Sequence, residues 1–225
     1  MGLMRRLPFH LLGRIRSRVL RLLTYIAARA PWAWRTGAFS VIMRVIFDVA
    51  APRWNDTTGS HGPAWTAPLE AGLDALTDVP FRVLDLGTGT GLGAAIAARR
   101  FSQATVTGID VSPRMIARAR GAHRHLRNLR FEVADARKLP FNDAGFTLVT
   151  ALNVPPFFPE LRRVTAPGGW VLIAFSLGER TPIYLPTPEL EHRLEQHGFA
   201  EVRSGFAGQG IWTLARRDDP SVRED

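Results

Sequence analysis

Cysteine is absent from the 225 residues, which removes disulfides, thiolate zinc sites and cysteine nucleophiles from consideration. Lysine is almost absent. Lys138 stands beside 28 arginines, a bias read as genome composition rather than as a recognition code. Acidic residues are missing from the start of the chain: residues 1–53 hold ten arginines against Asp48 alone. Residues 54–225 hold 19 basic and 19 acidic side chains, so the net charge of +9 belongs to the N-terminal segment. Long uncharged apolar runs are missing too. Arg14, Arg16, Arg18 and Arg21 interrupt what would be a signal-peptide core, and the same break argues against reading Arg5 and Arg6 as a twin-arginine signal. Arg6 occupies the place where a myristoylation signal beginning at Gly2 needs Ser or Thr. No run approaches the length of a membrane span. The expectation is a cytoplasmic protein.

What remains is an ordinary globular composition, 46% hydrophobic and 22% charged, in a chain long enough for one α/β domain with an appendage. Apolar residues from Leu11 to Ile26 recur at helical spacing, with Arg14, Arg18, Arg21 and Arg29 across from them. A second apolar stretch runs from Ala38 to Ala50. Residues 52–68 are rich in Trp, Gly, Thr and Pro and read as loop, and a helix is expected over Leu69–Leu76. From there strands and helices alternate, the pattern of a parallel sheet. Strands are expected at 81–86, 104–109, 129–134, 145–152 and 169–175, with helices near 91–101, 112–126 and 156–166. A helix over 187–197 and strands near 199–204 and 210–216 follow. The chain divides into a basic helical cap (1–76), an α/β domain (77–217) and a polar tail (218–225).

The chemistry concentrates at the first strand and its turn, Arg82–Gly93, which reads RVLDLGTGTGLG. Glycine allows a tight strand-to-helix turn and lets a ligand approach the backbone closely. The helix that follows presents free N–H groups. Gly89, Gly91 and Ala94 satisfy a dinucleotide-binding fingerprint, which on its own is weak. Asp85 leads a D-x-G-x-G-x-G run, and a carboxylate there suits a cationic ligand and repels a pyrophosphate. Asp110, closing the second strand, is placed to accept hydrogen bonds from ribose hydroxyls under either reading. Asp135, closing the third, is placed to accept one from an adenine amino group.

This ordered set resembles the class I S-adenosylmethionine (SAM)-dependent methyltransferases of small-molecule type, a group that includes the quinone C-methyltransferases. Val83–Gly93, Val106–Arg118, Val133–Phe141 and Leu161–Ile173 carry the likeness, which covers roughly residues 80–217. The resemblance implies a Rossmann-like three-layer α/β sandwich whose seven-stranded, mostly parallel sheet has the order 3-2-1-4-5-7-6. It implies SAM as cofactor, with Asp85, Gly87, Thr88, Gly89 and Gly91 on its methionine part and Asp110 on the ribose. Val111 and Met115 would flank the adenine, Asp135 and Ala136 would border its amino group, and Asn153 would face the methyl. One position departs from the pattern. Relatives usually carry Asp second in the fourth strand, where this chain has Thr147, which puts local support of the sheet in question.

The acceptor is less legible. Asn153–Phe158, NVPPFF, differs from the (D/N)PP(Y/F) motif of amino-group methyltransferases by the inserted Val154, and Pro155 reads instead as a helix start. His61, Tyr184 and His192 are the candidate general bases, with His61 foremost because its loop precedes the first strand. Phe47, Asp48, Ala51 and Trp54 resemble the (F/Y)-D-x-x-A-x-x-W segment that leads into the domain in relatives, so Trp54 and Tyr184 are candidate pocket residues; plain packing of the helical cap competes with that reading. No metal-ligand cluster stands out. A small hydrophobic or aromatic acceptor is expected. The alternatives are a quinone or lipid methylated at a membrane surface, a SAM-binding regulator without catalysis, and, most distantly, a nucleotide-binding oxidoreductase. The basic segment 11–30 could pack on the domain, lie on an anionic membrane, or steer an anionic partner. The zero net charge of residues 54–225 argues against nucleic acid.

Overall fold

The computed structural model describes residues 37–54 and 62–219. The segment 11–30, Trp32, Trp34, His61 and the tail beyond 219 lie outside the described residues. Helix α1 (Gly37–Ala50) runs into a 3-10 turn (Ala51–Arg53), and α2 (Pro63–Asp74) precedes the sheet. Then follow β1 (Arg82–Leu86), α3 (Leu92–Arg100), β2 (Thr105–Asp110), α4 (Pro113–Ala122) and β3 (Leu129–Val133). The second half comprises β4 (Phe146–Leu152), α5 (Phe158–Val164), β5 (Thr165–Phe175), α6 (Thr187–Gln196), β6 (Phe199–Ala207) and β7 (Gly210–Arg217).

The sheet order is β3-β2-β1-β4-β5-β7-β6, as the resemblance implied, and only β7 runs antiparallel to its neighbours. The inner strands are buried on both faces, which is why they read as continuous apolar runs. One face packs Leu69 and Leu73 of α2, Ala94, Ala97 and Ala98 of α3, and Ile116 and Ala119 of α4. The other takes Phe158 and Leu161 of α5 and Leu190 and Leu194 of α6. Burying a Leu or Phe side chain contributes about 1.5–3 kcal/mol each, so these two layers hold the sheet from both sides.

Three expectations need correction. Helix α2 begins at Pro63, inside the stretch read as loop, and ends at Asp74. Pro63 sits in the first turn, where a missing N–H is harmless. Pro68 lies inside the helix, and burial of Thr66, Pro68, Leu69, Gly72 and Leu73 against the sheet outweighs its cost of about 3 kcal/mol. Strand β5 starts at Thr165 rather than 169, because Thr165 pairs with Phe146 across a register shift before Trp170 meets Leu148. Helix α4 stops at Ala122, four residues early, where His123 leaves helical geometry (φ −117°, ψ 20°).

Thr147, the departure noted in the sequence, keeps its structural duty. Its hydroxyl accepts from the backbone N–H of Phe81 (3.0 Å) and Arg82 (3.1 Å) and donates to the Arg82 carbonyl (3.2 Å). A neutral hydroxyl thus ties β4 to the start of β1.

Candidate functional site

The parallel strands end together at one edge of the sheet, and the residues singled out in the sequence gather there. Leaving β1, the backbone turns at Gly87 (φ +58°), Gly89 (φ +55°) and Gly91 (φ +90°), the left-handed region that glycine enters without penalty. A Cβ on Gly87 would lie 2.4 Å from Val154 Cγ2, so glycine is required there by contact as well as by conformation. At Gly89 the nearest atom to such a Cβ would be the indole Nε1 of Trp54, at 3.8 Å. Trp54 packs edge-on against Phe47 of α1 (5.6 Å between centroids), so α1 and its turn set an aromatic pair over the glycine loop.

Asp85 lies beneath the loop, 2% exposed. Its carboxylate accepts from Thr88 Oγ1 (2.6 Å), Thr150 Oγ1 (2.7 Å) and the N–H of Ala94. Helix α3 starts at Gly91 with no side-chain cap of its own, and Asp85 supplies an acceptor to its first turn from across the site. Burial raises the Asp85 pKa, and the three hydrogen bonds only partly offset it. Gly93 lies close against the same carboxylate, since a Cβ there would stand 3.1 Å from Asp85 Oδ1.

Asp110, 8% exposed, accepts from the N–H of Ser112 (2.8 Å) through one oxygen and of Gly89 (3.0 Å) through the other. Burial lifts its pKa to about 6 against those two bonds, with Asp85 and Asp48 adding to the rise. Among the described residues no cationic side chain hydrogen-bonds Asp85 or Asp110. Both retain lone pairs for further donors. The N–H groups of Thr88, Gly89 and Gly91 are already committed to Ile109, Asp110 and Thr88. The site therefore offers negative charge and acceptors rather than an anion cradle. A ligand with hydroxyl donors and positive charge fits it, as SAM does, and a pyrophosphate does not.

The other predicted residues divide. Val111 is half-buried, and Met115 is 1% exposed with its N–H donated to Ser112 Oγ, the cap of α4. Ala136 packs against the core. Asp135 holds Arg137 through both oxygens, the shortest contact being 2.5 Å. Partial burial pushes the Asp135 pKa up, but the hydrogen bonds and charge of Arg137 outweigh it and leave the carboxyl below its usual range. Asn153, at φ +57°, spends its side chain on Ser176, donating to Oγ (2.8 Å) and accepting from the backbone N–H (2.9 Å). Tyr184 packs on Phe175 (5.5 Å) and lines a cleft of about 520 Å³ with Leu177, Phe206 and Ile211. Phe206 is 82% exposed. Phe175 pairs with Ile211, so this cleft opens at the same edge as the glycine loop. His192 meets Gln196 on α6.

Sequence reasoning missed three groups. Ser112 Oγ donates to Asp48 Oδ1 (2.5 Å), and Asp48 also accepts from the Arg114 N–H (3.2 Å), which fastens α1 to α4. Ser112 before Pro113 carried a helix-cap signal, but no local pattern could pair it with a residue 64 positions away. Thr150 inside β4 looked like a strand residue and turned out to hold Asp85. His123 reaches the Thr90 carbonyl (3.2 Å) behind the loop. Burial lowers its pKa, with Arg99 and His125 adding to the fall.

Fold and site together define a Rossmann-like domain whose glycine turn is backed by two buried carboxylates. Residues 83–169 match the family model described as a methyltransferase domain. Among characterised relatives, a malonyl-[acyl-carrier protein] O-methyltransferase of Halorhodospira halophila is 36% identical over 139 residues, 59% of this chain and 47% of that protein. A demethylmenaquinone methyltransferase of Thermus thermophilus is 42% identical over 107 residues, 44% of this chain and 49% of that protein. The chain spans about half the length of these relatives. Among solved structures, a SAM-dependent methyltransferase from Aquifex aeolicus superposes with a TM-score of 0.59 at 22% identity, covering 68% of this chain and 91% of that one. Residues 83–169 thus match a methyltransferase domain, and the fold is similar to that of a SAM-dependent methyltransferase.

Proposed function

We propose that this protein transfers the methyl group of SAM to a small hydrophobic or aromatic acceptor. The observation that carries the reading is the buried pair Asp85 and Asp110 beneath a left-handed glycine turn, two carboxylates with no cationic partner among the described residues. In this reading Asp110 takes the ribose hydroxyls, and the site's negative charge attracts the sulfonium and ammonium groups. Gly87, Gly89 and Gly91 leave room for the methionine part, while Val111, Met115, Asp135, Ala136 and Asn153 border the remainder. The cofactor brings a methyl already activated by positive sulfur, so the protein's task is alignment and exclusion of water. The cleft at Tyr184 and Phe206 is the proposed acceptor side, and Trp54, which lies over Gly89, the proposed cover of the cofactor loop. The lining sets Leu177, Tyr184, Phe206 and Ile211 beside Glu179, Arg180 and Gln209, and the relative that acts on demethylmenaquinone supports an aromatic acceptor. His61 remains the proposed base for an acceptor that must lose a proton. Helix α1 and its turn are proposed as part of the cap of the mouth, whereas α2, also expected within the cap, packs Leu69 and Leu73 on the face of the sheet.

Titration calorimetry tests the reading. SAM and S-adenosylhomocysteine are expected to bind and NAD not to bind. Asp110→Ala is expected to weaken SAM by about tenfold or more, the scale of one lost hydrogen-bond pair to a charged group. Binding of NAD alone would overturn the proposal, and unchanged SAM affinity in Asp110→Ala would overturn the ribose assignment.

A further inference from the structure

Helix α1 carries Val41, Val45 and Val49 at a spacing of four, one stripe along the helix, and they are 60%, 54% and 49% exposed. Met43, on another side of the helix, is buried. The stripe is bordered by positive charge. Arg44 on α1 is exposed, as are Arg114 and Arg118 one turn apart on α4, and none of the three forms an ion pair among the described residues. Asp48 joins the two helices by binding Ser112 and the Arg114 N–H, so Arg114 lies beside the Val49 end of the stripe.

The wider charge distribution points the same way. The balance of residues 54–225 conceals a separation: residues 113–138 hold eight basic side chains against Glu132 and Asp135, and both acids are paired, with Arg130 and Arg137. Residues 139–225 hold eleven acidic side chains against eight basic ones. Positive charge thus collects on α4, on β3 and in the loops after each, and in the arginine-rich sequence that precedes α1.

We propose that α1 and the outer face of α4 form a docking surface for an anionic lipid membrane. An exposed apolar stripe flanked by arginines is the signature of a helix that lies in the plane of a membrane interface, valines toward the acyl boundary and guanidinium groups among the headgroups. Nucleic acid would use the arginines and leave the valines in water. The placement matters for the site, because α1 carries Phe47 and leads directly to Trp54 over the glycine loop. A protein docked through α1 would present its cofactor loop next to the bilayer. The proposal concerns binding alone and stands independently of methyl transfer.

Flotation of the full-length protein with vesicles of phosphatidylcholine, with and without phosphatidylglycerol, tests it. The protein is expected to float only with phosphatidylglycerol, less at high salt. Val41→Asp with Val45→Asp, and separately Arg114→Glu with Arg118→Glu, are each expected to lower partitioning by about tenfold or more. Val45→Leu is expected to raise it. The exposed substitutions should leave the melting temperature in place, which separates lost docking from lost folding. Failure of the full-length protein to float overturns the proposal, as do variants that float like the parent. A dimer that the valine variant dissociates, with no flotation, would assign the face to a second copy. RNA retention lost only in the arginine variant, with no flotation, would assign it to nucleic acid.

Discussion

Asp110 is the residue whose chemistry most directly links the site to an experiment. Its carboxyl titrates near pH 6 because burial disfavours the charge more than the N–H groups of Gly89 and Ser112 favour it. A ribose hydrogen-bonded to the ionised form would favour that form, so SAM affinity is expected to fall as pH drops through about 6. The limiting slope is about tenfold per pH unit, one proton being taken up as the ligand leaves. Calorimetry between pH 5 and 8 would show it, and a flat profile would mean that Asp110 does not meet the ligand. The position of this acid at the end of β2 was readable in the sequence, as were Asp85 and the three glycines. What they bind to inside the protein was not. The commitment of Asn153 to Ser176 and of Asp135 to Arg137 depends on rotamers and on chain segments meeting at the strand ends.

At the level of elements, Ser112 shows how one hydroxyl serves two helices. It accepts the Met115 N–H, capping α4, and donates to Asp48, holding α1. Ser112→Ala is expected to destabilise the protein by about 1–2 kcal/mol, the usual cost of a lost cap. It should also raise amide hydrogen exchange in residues 37–54 above that of the sheet, since among the described residues the Arg114 N–H alone would then hold Asp48. Equal protection across both regions would contradict the fastening role. Strands β1, β2 and β4 were legible to within a residue or two because buried parallel strands are apolar runs between turn signals. The sheet order came through family resemblance, since strand pairing leaves no mark in a single sequence. The start of α2 was hidden by Pro63 and Pro68, residues that normally end helices; packing of Pro68 against the sheet overrides that preference.

For the whole molecule, acids of two kinds set the response to pH. Asp85 and Asp110 have raised pKa values, so their stabilising contribution is present at low pH and is lost as pH rises, for Asp110 through about 6. Asp135 and Glu160, the latter held chiefly by Arg163, have lowered values, so their contribution is present above the ordinary carboxylate pKa and is lost as pH falls through their folded values. From these acids the unliganded protein is expected to melt highest at about pH 4, the ordinary carboxylate value, and to lose stability toward about pH 6. The lowered pKa of His123 works the other way as pH rises. Saturating SAM should move that optimum toward neutrality by stabilising ionised Asp110. Melting curves across pH with and without SAM would check both statements, and an unliganded optimum at or above neutral pH would contradict them. Asp85 gives the same balance an evolutionary edge. The charge that steadies the first turn of α3 is also one that burial disfavours when nothing is bound. Directed evolution for heat tolerance alone would favour a neutral residue at position 85 and erode the cofactor site, while selection that includes the cofactor would keep the acid.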